Sequence, residues 1–479
     1  MDLRAVAKRL MLEYGFEPDM PPAVPAQLEA LAAHPPAVVP SDGIRDLRHL
    51  LWSSIDNDTS RDLDQLEVAE VLPDGATRVM IAIADVDAYV PRHTAIDRHA
   101  ARETTTVYTG VSIFPMLPEP LSTDATSLNE SGDRFALVTE FVVSTEGRVS
   151  APNVSRAIVR NTAQLTYNAV GAWLEGRGPA PAKVAASPAL AEQLRWQDAA
   201  ARALRVERYR HGALNIETIE TRSVITNNQL TSVERQEKNR ATELIEDFMI
   251  AANEIVARTL GSVSSLRRIV RTPKRWDRIV ALAATMGTTL PAVADSRALN
   301  EFLIARKAAD PDHFADLSLA VIKLMGPGEY VLERPGDPEQ GHFGLAVEDY
   351  THSTAPNRRF ADLVTQRLVK ALLAKQSAPY SDDELGAVAR ECTLKADASR
   401  KVEREMSKRI AAVAMSRHVG ESFDAIVTGA GPKGTFVRVL QPHIEGMLVR
   451  GQHGADVGDR VRVTLVHTDA DKGFIDFAR

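Results

Sequence analysis

Apolar and polar residues alternate in four stretches between positions 67 and 159: EVAEVL (67–72), RVMIAIADV (78–86), FALVTEFVVS (135–144) and GRVSAPNVSRAIV (147–159). A period of two marks strands. Asp74-Gly75 joins the first two, and this pair favours the tight turn of a hairpin. From about 163 to 415 helical spacing dominates. Leu244, Ile245, Phe248, Met249, Ala252, Ile255 and Val256 recur on one helical face. Ser381 with Glu384 three residues later reads as a capping box that opens a long helix. Residues 1–44 predict two short helices between the proline-rich turns PDMPPAVP and HPPAVVP. Such a module suits a helix-turn-helix-like unit, an oligomerisation piece or a packing element. The last 60 residues, from GESFDAIV to DKGFIDFAR, alternate in about five short strands with glycine-bearing turns. Five such strands suit a small OB-type barrel. The expected fold class is α+β: a helical module over 1–44, a mixed body over 45–418 and a barrel over 419–479. In the barrel string GTFVRV (434–439), Phe436 and Arg438 are read on opposite alternations, with Phe436 either core or a stacking platform.

One segment carries candidate chemistry. SIDNDTSRDLDQLE (54–67) holds Asp56, Asp58, Asp62 and Asp64 within nine positions. Carboxylates this dense repel one another unless a cation neutralises them. A calcium loop would place its ligands at Asp56, Asp58, Ser60, Asp62, Asp64 and Glu67. Arg61, however, stands where that loop needs glycine, and the hairpin follows where it needs a helix. The other reading is a magnesium site for phosphodiester chemistry. Magnesium takes one or two carboxylates and completes its shell with water and phosphate oxygen. In an extended segment Asp62 and Asp64 share a face.

Composition narrows the setting. The 479 residues allow two to four domains, and no apolar run is long enough to span a membrane. The first residues lack a signal peptide's apolar core and cleavage site, so the cytoplasm is the expected location. A single cysteine, Cys392, excludes an intrachain disulfide framework and a cysteine metal cage. The net charge is −7, so nucleic-acid binding would need local basic patches or an enclosed channel. LRRIVRTPKRWDR (266–278) and Arg358-Arg359 are the basic candidates, and each alone reads as solvated surface.

Together these segments resemble the RNB family, the RNase II and RNase R exoribonucleases. The family pattern is roughly T-I-D-x5-D-x-D-D-A. Here Ser54-Ile55-Asp56 is followed by five residues and then Asp62-Leu63-Asp64-Gln65-Leu66. Further matches follow in the same order: 107–137, AQLTYNAVGAWLE (163–175), HGALNIE (211–217), ATELIEDFMIAANE (241–254) and GHFGLAVEDYTHSTAPNRRFADLVTQRLVKALL (341–373). The ending VGDRVRVTLV…DKGFIDF resembles an RNA-binding OB domain appended to many RNA enzymes.

The resemblance implies a processive 3′→5′ exoribonuclease that releases nucleoside 5′-monophosphates from single-stranded RNA. It implies one or two Mg2+ ions as cofactor and RNA reaching the site through a channel. A monomer without membrane attachment is expected. Asp56, Asp62, Asp64 and Gln65 fall on the metal-site positions, and the family tolerates loss at the Asp64 position least. Arg358 falls on the scissile-phosphate contact and Glu403 on a glutamate near the reaction. Tyr167 matches an aromatic that stacks near the RNA 3′ end, with Trp276 as its opposing clamp. Arg359 and Phe436 are further expected RNA contacts. Three departures stand out. Gln65 replaces the fourth acid. Ser-Pro-Ile-Arg-Arg becomes Ala355-Pro356-Asn357-Arg358-Arg359. Residues 1–44 are too few for the cold-shock domains that usually precede the catalytic domain, so RNA entry is expected to differ.

Overall fold

Alternation in the sequence becomes a mixed seven-stranded sheet. The strands are β1 (Ile44–Asp46), β2 (Ser53–Asp56), β3 (Gln65–Val71), β4 (Thr77–Ala84), β5 (Val107–Tyr108), β6 (Ile113–Phe114), β7 (Asp133–Val143), β8 (Val149–Arg160) and β9 (Ala163–Thr166). The sheet order is β1-β8-β7-β4-β3-β2-β9, and β5 pairs separately with β6. The pairs β1–β8 and β2–β9 are parallel and the others antiparallel. The β3–β4 hairpin turns at Asp74-Gly75, where Gly75 takes φ +83°, a conformation that glycine adopts without steric cost. This computed structural model describes residues 2–479 apart from 218–219, 227–228, 237, 312, 339 and 432–433, and apart from the side chains of 218–237.

The helices are α1 (Leu3–Glu13), α2 (Ala23–Ala33), α3 (Ala95–Glu103), α4 (Tyr167–Leu174), α5 (Ala182–Ala185), α6 (Pro188–Arg210), α7 (Arg240–Thr259), α8 (Trp276–Thr285), α9 (Ser296–Ala309), α10 (Phe314–Met325), α11 (Phe360–Leu373) and α12 (Asp382–Met415). The apolar stripe of α7 (Leu244, Ile245, Phe248, Ala252, Ile255 and Val256) is buried in the core it shares with Ile81 and Phe141 of the sheet. Helix α12 begins at the Ser381–Glu384 capping box expected from the sequence. Among the described residues no helix is long and apolar enough to cross a membrane.

The helical middle also contains strands. β10 (Glu220–Thr226) pairs with β11 (Gln229–Gln236), and β12 (Ser265–Ile269) with β13 (Glu329–Glu333). The basic stretch 266–278 therefore begins as a strand rather than a solvated loop. Arg267 is buried there because Glu333, on the paired strand, takes its guanidinium at 2.8 Å.

The last five strands are β14 (Ser422–Gly431), β15 (Gly434–Val439), β16 (Ile444–Arg450), β17 (Arg460–Asp469) and β18 (Phe474–Ala478). They close a barrel of order β14-β15-β16-β18-β17 around Val437, Leu448, Leu465 and Phe477. The expected opposition of Phe436 and Arg438 is corrected. Residues two apart in a strand share a face, and both lie on the outward alternation of β15, between buried Thr435, Val437 and Val439. Arg438 is spent on a bidentate pair with Asp316 of α10, which ties the barrel to the body. Phe436 is half-buried outside the barrel core, against Gly429.

Helix α1 is a packing element. Val6, Leu10, Met11 and the nearby Phe16 form one cluster with Val402, Met406 and Ile410 of α12. Tyr14 donates its hydroxyl hydrogen to Glu405 Oε1 at 2.5 Å. The Lys395 ammonium lies over the Phe16 ring and donates to the Gly15 carbonyl. Leu10 is 2% exposed. Leu10→Ala is expected to cost about 2–5 kcal/mol, the usual range for emptying a buried leucine site. Chemical denaturation followed by circular dichroism measures it, and a loss under about 0.5 kcal/mol would show that α1 is not integral to the fold.

Candidate active site

The aspartate segment leaves the end of β2, loops over residues 57–64 and re-enters the sheet as β3. With a strand at once behind it, the segment has no second helix, and the calcium-loop alternative ends there. The loop is stitched from several sides. Ser127 donates its hydroxyl hydrogen to the Arg61 carbonyl and accepts from the Leu63 amide. The Leu128 amide donates to the Leu63 carbonyl and the Ala84 amide to the Asp64 carbonyl.

Each acid meets a different surrounding. Asp56 Oδ1 accepts from the Asn57 amide and the Ser60 hydroxyl. Asp58 is exposed and accepts from Asn168, so it sits outside the group. Asp62 Oδ2 faces the Tyr108 hydroxyl at 3.5 Å. Asp64 is 3% exposed, and its Oδ1 accepts from the Asn357 amide at 3.2 Å. Burial pushes the Asp64 carboxyl up to about 7, Arg358 opposing the rise and Asp62 adding to it. Burial also raises Asp62, with Arg358 again opposing and Asp56 reinforcing. These mutual effects place Asp56, Asp62 and Asp64 in one electrostatic neighbourhood.

The opposing charge comes from far along the chain. Arg358 places Nε 3.5 Å from Asp64 Oδ2 while its side chain stays 47% exposed. Its position follows from the loop before α11. Asp362, buried in the first turn of that helix, accepts from the Ala355 amide and takes Arg359 in a two-pronged pair at 2.8 Å on each oxygen. The Thr106 amide donates to the Arg358 carbonyl and the Phe360 amide to the Thr104 carbonyl. Asn357 is 1% exposed, and its Oδ1 accepts from Thr126 at 2.6 Å. The tripeptide Asn357-Arg358-Arg359 is thus divided. Its first residue caps Asp64, its second faces the acids and its third is structural.

Of the expected site residues, Asp56, Asp62, Asp64, Arg358 and Tyr167 come together. Tyr167 opens α4, and its hydroxyl pKa is raised by burial and then by Asp56 and Glu67. Glu403 lies on α12, where Ser399 donates to its Oε1 and the Tyr108 amide also bonds to it. Burial raises its carboxyl. Tyr108 links Glu403 to Asp62 and is a site residue that spacing did not single out. Gln65 is buried, with Nε2 3.5 Å from the Ile55 carbonyl. Two assignments are corrected. Trp276 is 6% exposed, donates Nε1–H to the Pro291 carbonyl and packs in a core with Ile279, Leu299 and Phe302, so no ring face is open to a base. Arg359 is held by Asp362 in a two-pronged pair, so its charge is already matched while its side chain stays 23% exposed. Phe436 lies on the barrel, with no contact to these acids among those described.

The donors suit a divalent cation that brings its own shell. Among the described residues no three His, Cys, Asp or Glu side chains are grouped closely enough to hold a metal ion by themselves. Magnesium needs only one or two carboxylates beside water and phosphate. A carboxyl that burial pushes up to about 7 is one whose ionised form a cation would favour.

A mixed sheet with acids at a strand entrance, an arginine opposite and a five-stranded barrel downstream defines an RNB-type ribonuclease architecture. Residues 44–375 match the RNB domain model, and residues 421–479 match the RNase II-type exonuclease C-terminal S1 domain. The chain belongs to the RNB family. It is 29% identical to Ribonuclease R of Vibrio cholerae serotype O1, over 95% of this chain and 59% of that protein. It is 28% identical to Ribonuclease R of Escherichia coli K12, over 96% of this chain and 60% of that one. The chain thus spans about three fifths of these relatives. Its fold is similar to Mycoplasma genitalium RNase R in complex with ribose-methylated single-stranded RNA, with TM-score 0.86, 21% identity, and coverage of 100% of this chain and 78% of that one. It is also similar to yeast Ssd1, a pseudonuclease, with TM-score 0.70, 17% identity, and coverage of 85% and 50%.

The matched segment 341–373 carries a half-buried histidine. His342 Nδ1 accepts from the Leu345 amide, and its ring meets Tyr350 edge-on. Burial, then Arg268, pulls its pKa down to about 4. The folded value lies below the ordinary one of about 6.5. Its stabilising contribution is therefore complete above about pH 6.5 and is lost as pH falls toward 4. His342→Asn keeps an acceptor for Leu345 without a group that titrates there. Thermal melts from pH 7 to 4 are expected to fall more steeply for wild type than for this variant, and parallel curves would exclude His342 as a source of acid lability.

Proposed function

We propose that this chain is a divalent-cation-dependent exoribonuclease that hydrolyses single-stranded RNA processively from the 3′ end and releases nucleoside 5′-monophosphates. The observation that carries the reading is the meeting of Asp62 and Asp64 with Arg358, brought from nearly 300 positions away by the Asp362 anchor. Phosphoryl transfer depends on positioning and charge stabilisation rather than covalent help. Asp56, Asp62 and Asp64 are the residues that would hold the metal, with Gln65 offering a neutral carbonyl oxygen. When bound, magnesium supplies an activated water and a counter-charge for the phosphate. Arg358 offers its exposed guanidinium to phosphate oxygens, a planar fork that lysine lacks. Tyr167 offers a ring to the terminal base, a sequence-tolerant contact. Glu403, with Ser399 and Tyr108, lines the approach to Asp62.

A second reading is an RNA-binding protein that does not cut. Gln65 in the fourth acid's place and the likeness to a yeast pseudonuclease favour it. A 5′-labelled poly(A) oligomer incubated with protein and magnesium separates the two. The proposed function converts the full-length oligomer to a short end product with few intermediates, and chelator stops it. An intact oligomer under conditions of tight binding would establish the second reading.

Two groups of variants test the roles. Asp64→Asn is expected to abolish cleavage while single-stranded RNA still binds, and Arg358→Ala to slow single-turnover cleavage about 10²–10³-fold. Wild-type rates in either would refute the site. Tyr167→Ala is expected to weaken binding by about 1–3 kcal/mol for any base at the 3′ end, and unchanged affinity in filter binding would remove Tyr167 from the RNA path.

A further inference from the structure

Glu67 follows Gln65 by two residues on β3, so their side chains leave the strand on the same face. Glu67 is 0% exposed, and neither of its carboxylate oxygens has a hydrogen-bond partner. Ser53, opposite it in the β2–β3 register, is equally buried and gives it no hydrogen bond. A carboxyl group buried with both oxygens unsatisfied is among the costlier arrangements a strand can carry. A packing role does not explain it, since leucine would fill the place more cheaply.

Its surroundings belong to the site. Asp56 is the charged neighbour that acts on Glu67, and Tyr167 feels Asp56 and Glu67 together. Gln65, on the same face, reaches the Ile55 carbonyl one residue before Asp56. The family pattern puts an acid at position 65, and this chain has a neutral amide there. A glutamate two positions along the same face, with a longer side chain and free oxygens, lies where the missing charge can be restored.

We propose that Glu67 is the compensating acid of this site. It adds a carboxylate to those of Asp56, Asp62 and Asp64 around the divalent cation, and Gln65 adds a neutral oxygen. The inference rests on the nuclease reading above, but its test reads the metal directly.

The experiment is calorimetric titration of Mn2+ into the metal-free full chain, without RNA, for wild type, Glu67→Gln, Gln65→Asp and the double variant Gln65→Asp/Glu67→Gln. Thermal melts of each confirm folding. Glutamine matches glutamate in size and removes only the charge. The proposal expects Glu67→Gln to weaken Mn2+ binding at least 10-fold. It expects the double variant to regain affinity within about 3-fold of wild type, because the acid has returned to position 65. Wild-type affinity in Glu67→Gln overturns the proposal, as does a double variant no tighter than Glu67→Gln. If Glu67→Gln fails to fold, the comparison of Gln65→Asp with the double variant decides. Equal affinities there support exchange of roles between the two positions, and loss in the double variant alone overturns it. Failure of the nuclease reading looks different: Mn2+ binds and responds to Glu67 as expected, yet no variant cuts RNA.

Discussion

The buried charge of Asp64 is the constraint around which the site is organised. A carboxylate with 3% exposure needs a counter-charge and a hydrogen-bond donor, or it must keep its proton. Both come from one short loop. The Asn357 amide points at one oxygen and Arg358 stands near the other. That loop is held in turn by Asp362, which engages Arg359 and the Ala355 amide. The start of β3 and the start of α11 are therefore coupled electrostatically. Their shared need fixes the spacing between the acids and the arginine.

Local patterns in the sequence were legible because local physics decides them. The β3–β4 hairpin follows from alternation and Asp74-Gly75, and the start of α12 from Ser381 and Glu384. Long-range choices were not. Trp276 and Arg359 carry the chemistry of RNA contacts, yet Pro291 and Asp362 had already claimed them. Asp362 stands only three positions beyond Arg359, yet nothing in the sequence shows that the pair closes a buried loop, and Pro291, fifteen positions beyond Trp276, is not announced at all. Arg438 was spent in the same way on Asp316. Tyr108 escaped notice because its link to Asp62 depends on how the short β5–β6 ladder lies over the loop.

The acids themselves were the easiest part of the site to find and the hardest to rank. Spacing could not separate Asp58, which faces solvent beside Asn168, from its less exposed neighbours. Nor could it show that Glu67, read as one position of a calcium loop, sits in the sheet with no partner. Those distinctions come from which face of β3 each side chain takes and from how closely β2 packs beside it.

Helix α12 touches almost everything that matters here. Its 34 residues span about 50 Å. Along that length it seats α1, carries Glu403 beside Tyr108 and ends with Ala412 and Met415 in the barrel core. Near its far end the turn at Gly473 presses on Lys408, and Arg409 reaches the Asp471 carbonyl. The helix therefore acts as a threaded shaft between barrel and acids, with angle and advance locked together. Losing one residue between Glu403 and Ala412 would turn the barrel by about 100° and draw it in by about 1.5 Å. The number of residues along this shaft is thus fixed by what it must hold at both ends.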